Sequence, residues 1–74
     1  TTTIAVRHHN RIGVLARVLG ILGRAHLNVE QMANQIFAGG AAAIATIHVT
    51  GDLDAATADA IAADGDVIGV SVAG

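Results

Sequence analysis

Histidine, asparagine and arginine side chains crowd into one short run of this chain, His8, His9, Asn10 and Arg11, which leads directly into Ile12, Gly13, Val14 and Leu15. A second asparagine of interest, Asn28, opens the next extended segment. The run falls where a strand turns into a helix. The first turn of a helix leaves backbone N–H groups without intrahelical partners, which suits a carboxylate, while imidazole and amide side chains meet the other polar groups of a small molecule. These residues therefore suit the grip of a small zwitterion, and a carboxamide fits that task because it offers both a donor and an acceptor. The charge distribution points the same way. All four arginines (Arg7, Arg11, Arg17, Arg24) precede residue 25, and five of the six acids (Asp52, Asp54, Asp59, Asp64, Asp66) follow residue 51, so an anion would favour the first third of the chain. Solvation of two surfaces is the plainer account of most of these charges.

Other chemistries find less support. His8, His9, His26 and His48 offer imidazoles to a metal, but His8 and His9 point to opposite sides of a continuing strand and no carboxylate is spaced to join them. Ser71 and the threonines lack a neighbouring base, and the acids sit in turns and at helix starts, so the chain is expected to be no enzyme by itself and to need no cofactor.

The elements that position the run must come from 74 residues, 53% of them hydrophobic, with a mean hydropathy of +0.60. A chain of this size buries only roughly 60% of the surface it exposes when unfolded, so a partner subunit or a parent domain would help it. Apolar stretches are interrupted by Arg, Gly, His or Asp well short of the about 20 residues a membrane span requires. There is no cysteine and no signal peptide, which makes a cytoplasmic setting the default expectation. The first residue is Thr1, not Met, which leads us to expect a single domain over residues 1–74, cut from something longer.

Six elements are expected. From Thr3 to His8, Ile4, Val6 and His8 alternate with Thr3, Ala5 and Arg7 as a half-buried strand, with His8 on the core side. Asn10 stands where a helix cap belongs. A helix from about Ile12 to Ala25 follows, its apolar face built from Leu15, Val18, Leu19 and Leu22 and widened by Val14 and Ile21, with Gly13, Arg17, Gly20 and Arg24 on the opposite stripe. Its three glycines oppose the helix, so packing must hold it. Asn28 to Ala38 reads as a strand whose parity slips between Val29 and Met32, as a bulge would cause. Gly39 and Gly40 make the turn. Ala41 to Val49 is a third strand, with Ile44 on one face, Ile47 and Val49 on the other, and alanines that leave room for close packing. Thr50, Gly51 and Asp52 end it. A short helix over Leu53 to Ala63 is begun by Asp52 or Asp54 and buries Leu53, Ala56, Ala60 and Ile61. After a turn at Asp64, Gly65 and Asp66, Val67 to Val72 forms a last strand with Ile68, Val70 and Val72 inward.

The order strand, helix, strand, strand, helix, strand predicts an α+β fold, the ferredoxin-like βαββαβ sandwich: a four-stranded antiparallel sheet with two helices on one face. The other face is left uncovered and invites a partner. This architecture hosts several functions, so the site must decide among them. RNA recognition would use aromatic platforms, and Phe37 is the single aromatic; a copper-carrying thiolate pair is excluded by the lack of cysteine. No nucleic-acid or membrane partner is expected.

The run His8-x-Asn10-Arg11-x-Gly13-Val14-Leu15 resembles the HxNRxGVL signature of the ACT domain that closes D-3-phosphoglycerate dehydrogenase chains, and the pattern continues across nearly all 74 residues. His26, Leu27, Asn28 and Val29, with Gln35 further on, resemble the GxNI segment at the second strand of that family. The resemblance implies a regulatory domain that forms a homodimer by edge-to-edge sheet pairing, joining two four-stranded sheets into one. It implies L-serine bound between the subunits and allosteric inhibition of a linked NAD-dependent catalytic domain of serine biosynthesis. Carried over residue by residue, it implies that His8 and Asn10 of one subunit and Asn28 of the other hold the ligand. The N–H groups around Arg11, Ile12, Gly13, Val14 and Leu15 would take its carboxylate, carbonyls of Asn10 or Asn28 its ammonium, and His8 its hydroxyl. Two positions depart from the pattern. Ile12 stands where the family usually has proline, and His26 replaces the usual glycine. The branched-chain-sensing subunit of acetohydroxyacid synthase has a similar strand-to-helix pattern, and a dimerisation module without a small ligand is the third reading.

Overall fold

Strict alternation along the first strand and a helical repeat immediately after it produce the two elements that hold the junction. In the computed structural model, which describes residues 1–74, the elements follow as β1 (Thr2–His9), α1 (Val14–Arg24), β2 (Asn28–Ile36), β3 (Ala42–Thr50), α2 (Ala55–Ala62) and β4 (Val67–Ala73). The strands form one antiparallel sheet in the order β2-β3-β1-β4. Ile4 and Val6 of β1 and Ala45, Ile47 and Val49 of β3 share a single core with Val18 and Leu22 of α1 and Ile61 of α2, so both helices lie on one face. This is the expected ferredoxin-like sandwich. The opposite face carries the polar side chains of Arg7, His9, His48, Gln31 and Gln35, with Thr3 Oγ1 3.0 Å from His48 Nδ1.

Helix α1 starts two residues later than expected, and the reason is local. Gly13, with φ of 87°, is its N-cap, a backbone conformation that excludes most side chains, and no side chain caps the helix. Asn10 is therefore not the cap; its side chain is used elsewhere. Only Gly20 and Gly23 remain inside the helix, at about 1 kcal/mol each against alanine. Full burial of Val14, Val18 and Leu22 contributes about 1.5–3 kcal/mol each and outweighs them. The Arg17, Gly20, Arg24 stripe does not face away from the protein but borders α2 across a groove of about 380 Å³. At the other end, His26 takes φ of 61°, the left-handed conformation that a glycine would adopt. Its N–H donates to Gly23 O at 3.0 Å and that of Leu27 to Leu22 O at 3.0 Å, so the turn is kept despite the substitution.

Strand β2 contains the expected slip: its pairing with β3 jumps between Val29 and Gln31, leaving Glu30 as the bulge. It ends at Ile36, earlier than expected, because Gly39 and Gly40, both left-handed, turn the chain into β3. Four residues expected to be buried are exposed. Ala56 and Ala60 are exposed, since α2 meets the core chiefly through Ile61, with Leu53 only partly buried before it. Ile68 is displaced at an irregularity where β1 and β4 lose register, and is 53% exposed. Val72 pairs with Ile4 yet sits on the outer strand beyond the helices' cover, 48% exposed. Asp54, not Asp52, caps α2, accepting from the Thr57 N–H at 2.7 Å. Hydrogen bonds from Thr57 hold the Asp54 carboxyl below the usual carboxylate range.

Candidate functional site

The junction leaving β1 is tied down on both flanks. On the side of the β2–β3 turn, the Asn10 N–H donates to Ala41 O at 3.0 Å and its side-chain Nδ2 donates to Gly40 O at 2.9 Å. The Arg11 N–H turns back onto His9 O at 2.9 Å, a three-residue turn that aims the chain toward Gly13. Arg11, Ile12 and Gly13 are exposed, Val14 is fully buried and Leu15 is half-buried, so a loop open to solvent is anchored by an apolar first helical turn. No side chain caps the helix and no acidic residue lies within that turn, so its N–H groups are not taken by a side chain.

The other flank is electrostatic. The His9 N–H donates to Asp66 O at 2.7 Å, and Arg11 Nη1 lies 3.2 Å from Asp66 Oδ1. Arg17 donates through Nε to Asp64 Oδ2 at 2.6 Å and through Nη2 to Asp66 Oδ2 at 2.9 Å. The guanidinium of Arg17 holds the Asp64 carboxyl below its usual range, helped by the Asp66 N–H, and Asp64 in turn raises Arg17. Arginines and acids that lie far apart in sequence thus neutralise one another beside the junction. The cationic first third expected from sequence order does not survive folding as an unpaired patch.

His8 lies behind the loop rather than in it. It is 2% exposed, and both ring nitrogens are occupied: Nδ1 lies 2.9 Å from His9 O and Nε2 3.0 Å from Asn34 Oδ1. A carbonyl only accepts, so Nδ1 carries a proton. The bridge to Asn34 crosses β3 from β1 to β2. It passes over Ala43 and Ala45, the register partners of His8 and Asn34, and this is what the small residues of β3 make room for.

Asn28 is not part of this cluster within one chain. It pairs with Thr50, whereas His8 pairs with Ala43, seven residues away along β3, about 23 Å at the rise of a strand. The structure brings together His8, Asn10, Arg11, Ile12, Gly13, Val14 and Leu15, and leaves Asn28 at the far end of an edge strand. The histidines do not gather into a metal's donor set with any acid.

Sequence reasoning missed Asn34, Asp64 and Asp66. Asp64 and Asp66 carried only a turn signal, and nothing local announces that α2 delivers them to Arg11 and Arg17. For Asn34 one signal was present: an amide on the core-facing parity of a strand, alongside Met32 and Ile36, is a polar group that requires a partner.

The βαββαβ sandwich is the fold of the ACT class, generally a regulatory, amino-acid-binding module rather than a catalytic one. Residues 4–68 match the AHAS small subunit-like ACT domain, and the chain belongs to that family. The phosphoglycerate dehydrogenase resemblance thus holds at the level of the ACT domain, while the finer match is to the AHAS type. Among solved structures, the chain is similar to the ACT domain of GTP pyrophosphokinase from Chlorobium tepidum, at 12% identity and a TM-score of 0.71, covering 97% of this chain and 95% of that one. It is also similar to the C-terminal domain of the MgtC protein from Mycobacterium tuberculosis, at 8% identity and a TM-score of 0.72, covering 97% and 83%. A third is protein BT0572 from Bacteroides thetaiotaomicron, at 18% identity and a TM-score of 0.67, covering 99% of this chain and 46% of that one. Identities this low speak to the fold alone. No curated protein sequence matches the chain. No helix is long and apolar enough to cross a membrane.

Proposed function

We propose that this domain binds an amino acid between two copies of itself and transmits its occupancy to a catalytic partner. One observation carries the reading: the two halves of the expected ligand set stand at opposite ends of β2, an edge strand exposed along its whole length. Antiparallel pairing of two such edges about Met32 would bring Asn28 of the neighbour opposite Ile36, and Ile36 pairs with Ala43, the partner of His8. The two half-sites would then meet, twice per dimer.

An apolar, branched-chain amino acid is the ligand this reading favours. Support comes from the AHAS-type match, from the apolar residues Ile12, Val14 and Leu15 at the junction, and from His8, whose occupied nitrogens leave no free group for a serine hydroxyl. L-serine is the second reading, supported by the HxNRxGVL-like run His8 to Leu15. The catalytic partner would be an acetohydroxyacid synthase in the first case and a linked NAD-dependent phosphoglycerate dehydrogenase in the second, both in a cytoplasmic setting. A ligand held only in the paired state stabilises it by RT ln(1 + [L]/Kd), about 2.7 kcal/mol at a hundredfold excess over Kd. If the catalytic partner distinguishes paired from unpaired copies, that free energy is the allosteric coupling.

Calorimetric titration with a panel of L-amino acids tests the proposal. Heat with L-valine supports the branched-chain ligand, heat with L-serine alone supports the second reading, and silence across the panel overturns both. Asn28→Ala is expected to abolish binding with the fold unchanged, because Asn28 is exposed; loss of folding would overturn its assignment.

A further inference from the structure

The bond from His8 to Asn34 does not end there. Nε2 of His8 meets Asn34 on the edge strand, Nδ1 donates to His9 O, and that same carbonyl accepts the Arg11 N–H that turns the chain into the ligand junction. Four groups thus form an unbroken line from the pairing edge of β2 to Arg11 in the loop. Its central member is fully enclosed, so its hydrogen bonds have no water to fall back on. Its outer member, Asn34, is exposed on a strand whose far side pairs with nothing in this chain.

From this line of contacts, and resting on the amino-acid-binding reading above, we infer that Asn34 is a positioning residue: it orients the His8 ring, and through His9 O and the Arg11 N–H it sets the loop in its ligand-binding geometry. Asn34 is not one of the residues of the expected ligand set. Its place on β2 gives the edge a route to the site, because a neighbouring strand pairing along β2 fixes the backbone that carries the Asn34 amide. Pairing and ligand binding then share one chain of hydrogen bonds. The amide is suited to this role because it meets either state of the ring, accepting at Oδ1 from a protonated Nε2 and donating from Nδ2 after rotation when Nε2 is bare.

The test uses the 74-residue chain, with L-valine and L-serine as probes and nitrogen-15 spectra as a second readout. Asn34→Leu is expected to lower affinity for whichever probe binds by about tenfold, the effect of losing one buried hydrogen bond. It is also expected to shift the His8 ring nitrogens and the Arg11 amide. Asn34→Gln, which keeps an amide able to accept from or donate to Nε2, is expected to recover part of the affinity and of the Arg11 shift. A merely structural Asn34 would lower the melting temperature of the Leu variant and leave affinity and the Arg11 shift alone, and that result overturns the inference. If Asn34→Leu does not fold, Asn34→Ala decides: a folded Ala variant whose affinity and Arg11 shift match the wild type overturns it. A wild-type chain that binds neither probe counts against the ligand reading. The Arg11 shift still judges the relay, which is overturned if that shift is unmoved in Asn34→Leu.

Discussion

Strands β3 and β2 are neighbours of equal length joined by one tight turn, and they are built for opposite purposes. In β3 every second residue, Ala43, Ala45, Ile47 and Val49, is fully buried, while in β2 no residue is buried. Val29, Met32 and Ile36 lie on the same sheet face as the core yet remain 36%, 36% and 54% exposed. An edge strand this open usually carries devices that discourage pairing, such as lysines, prolines or bulges. Here a bulge and a charge coincide at Glu30, close to one end, and Gln31 to Ile36 carries neither. The contrast indicates that β3 stabilises the chain, whereas β2 leaves its apolar side chains open, as the proposed pairing requires.

Substitutions on the two strands should separate these roles. The largest effect is expected at Ile47, where Ile47→Ala should cost about 2–5 kcal/mol of unfolding free energy in urea, a large share of what a domain of this size possesses. Ile36→Ala, measured under monomeric conditions, should stay within about 0.5 kcal/mol. Equal losses would erase the distinction. Next in size is Met32→Glu, which sets like charges against each other at the centre of the proposed pairing. Sedimentation velocity should show the dimer weakened by tenfold or more, by an order-of-magnitude estimate, with the circular dichroism of the monomer unchanged. A dimer that survives this change would place the association surface elsewhere.

The smallest effect concerns the electrostatic flank. The Asp64 carboxyl is held below its unfolded value by Arg17, so its contribution to stability is present above the unfolded pKa and is lost as pH falls through the lower folded value. Melting temperatures should therefore decline on acidification below about pH 4. Asp64→Asn should flatten that decline slightly, because the pair is partly solvated and screened. An unchanged acid limb would remove Asp64 from the account.

Much of this molecule was legible in one dimension because its signals are periodic. Alternation announced β1 and β3, a repeat of three to four residues announced α1, paired glycines announced the hairpin, and the parity slip announced the Glu30 bulge. The misreadings cluster where a residue's fate depends on an element remote in sequence. Asn10 has the chemistry of a cap, but its amide bonds to Gly40, thirty residues away, and Gly13 caps the helix instead. Ala56 and Ala60 have the spacing of a buried face, but α2 settles on the sheet mainly through Ile61.

The sequence by itself determined the order of elements, the side of β1 that His8 occupies and the position of the polar junction between strand and helix. All of these depend on neighbours a few residues apart, where backbone geometry leaves few choices. Only the tertiary structure decided that Asn34 reaches His8 over two alanines, that Asp64 and Asp66 neutralise Arg11 and Arg17, and that Asn28 stands at the far end of a bare edge. Those outcomes depend on which strands become neighbours, and strand order is settled by burial of a shared core rather than by any local preference.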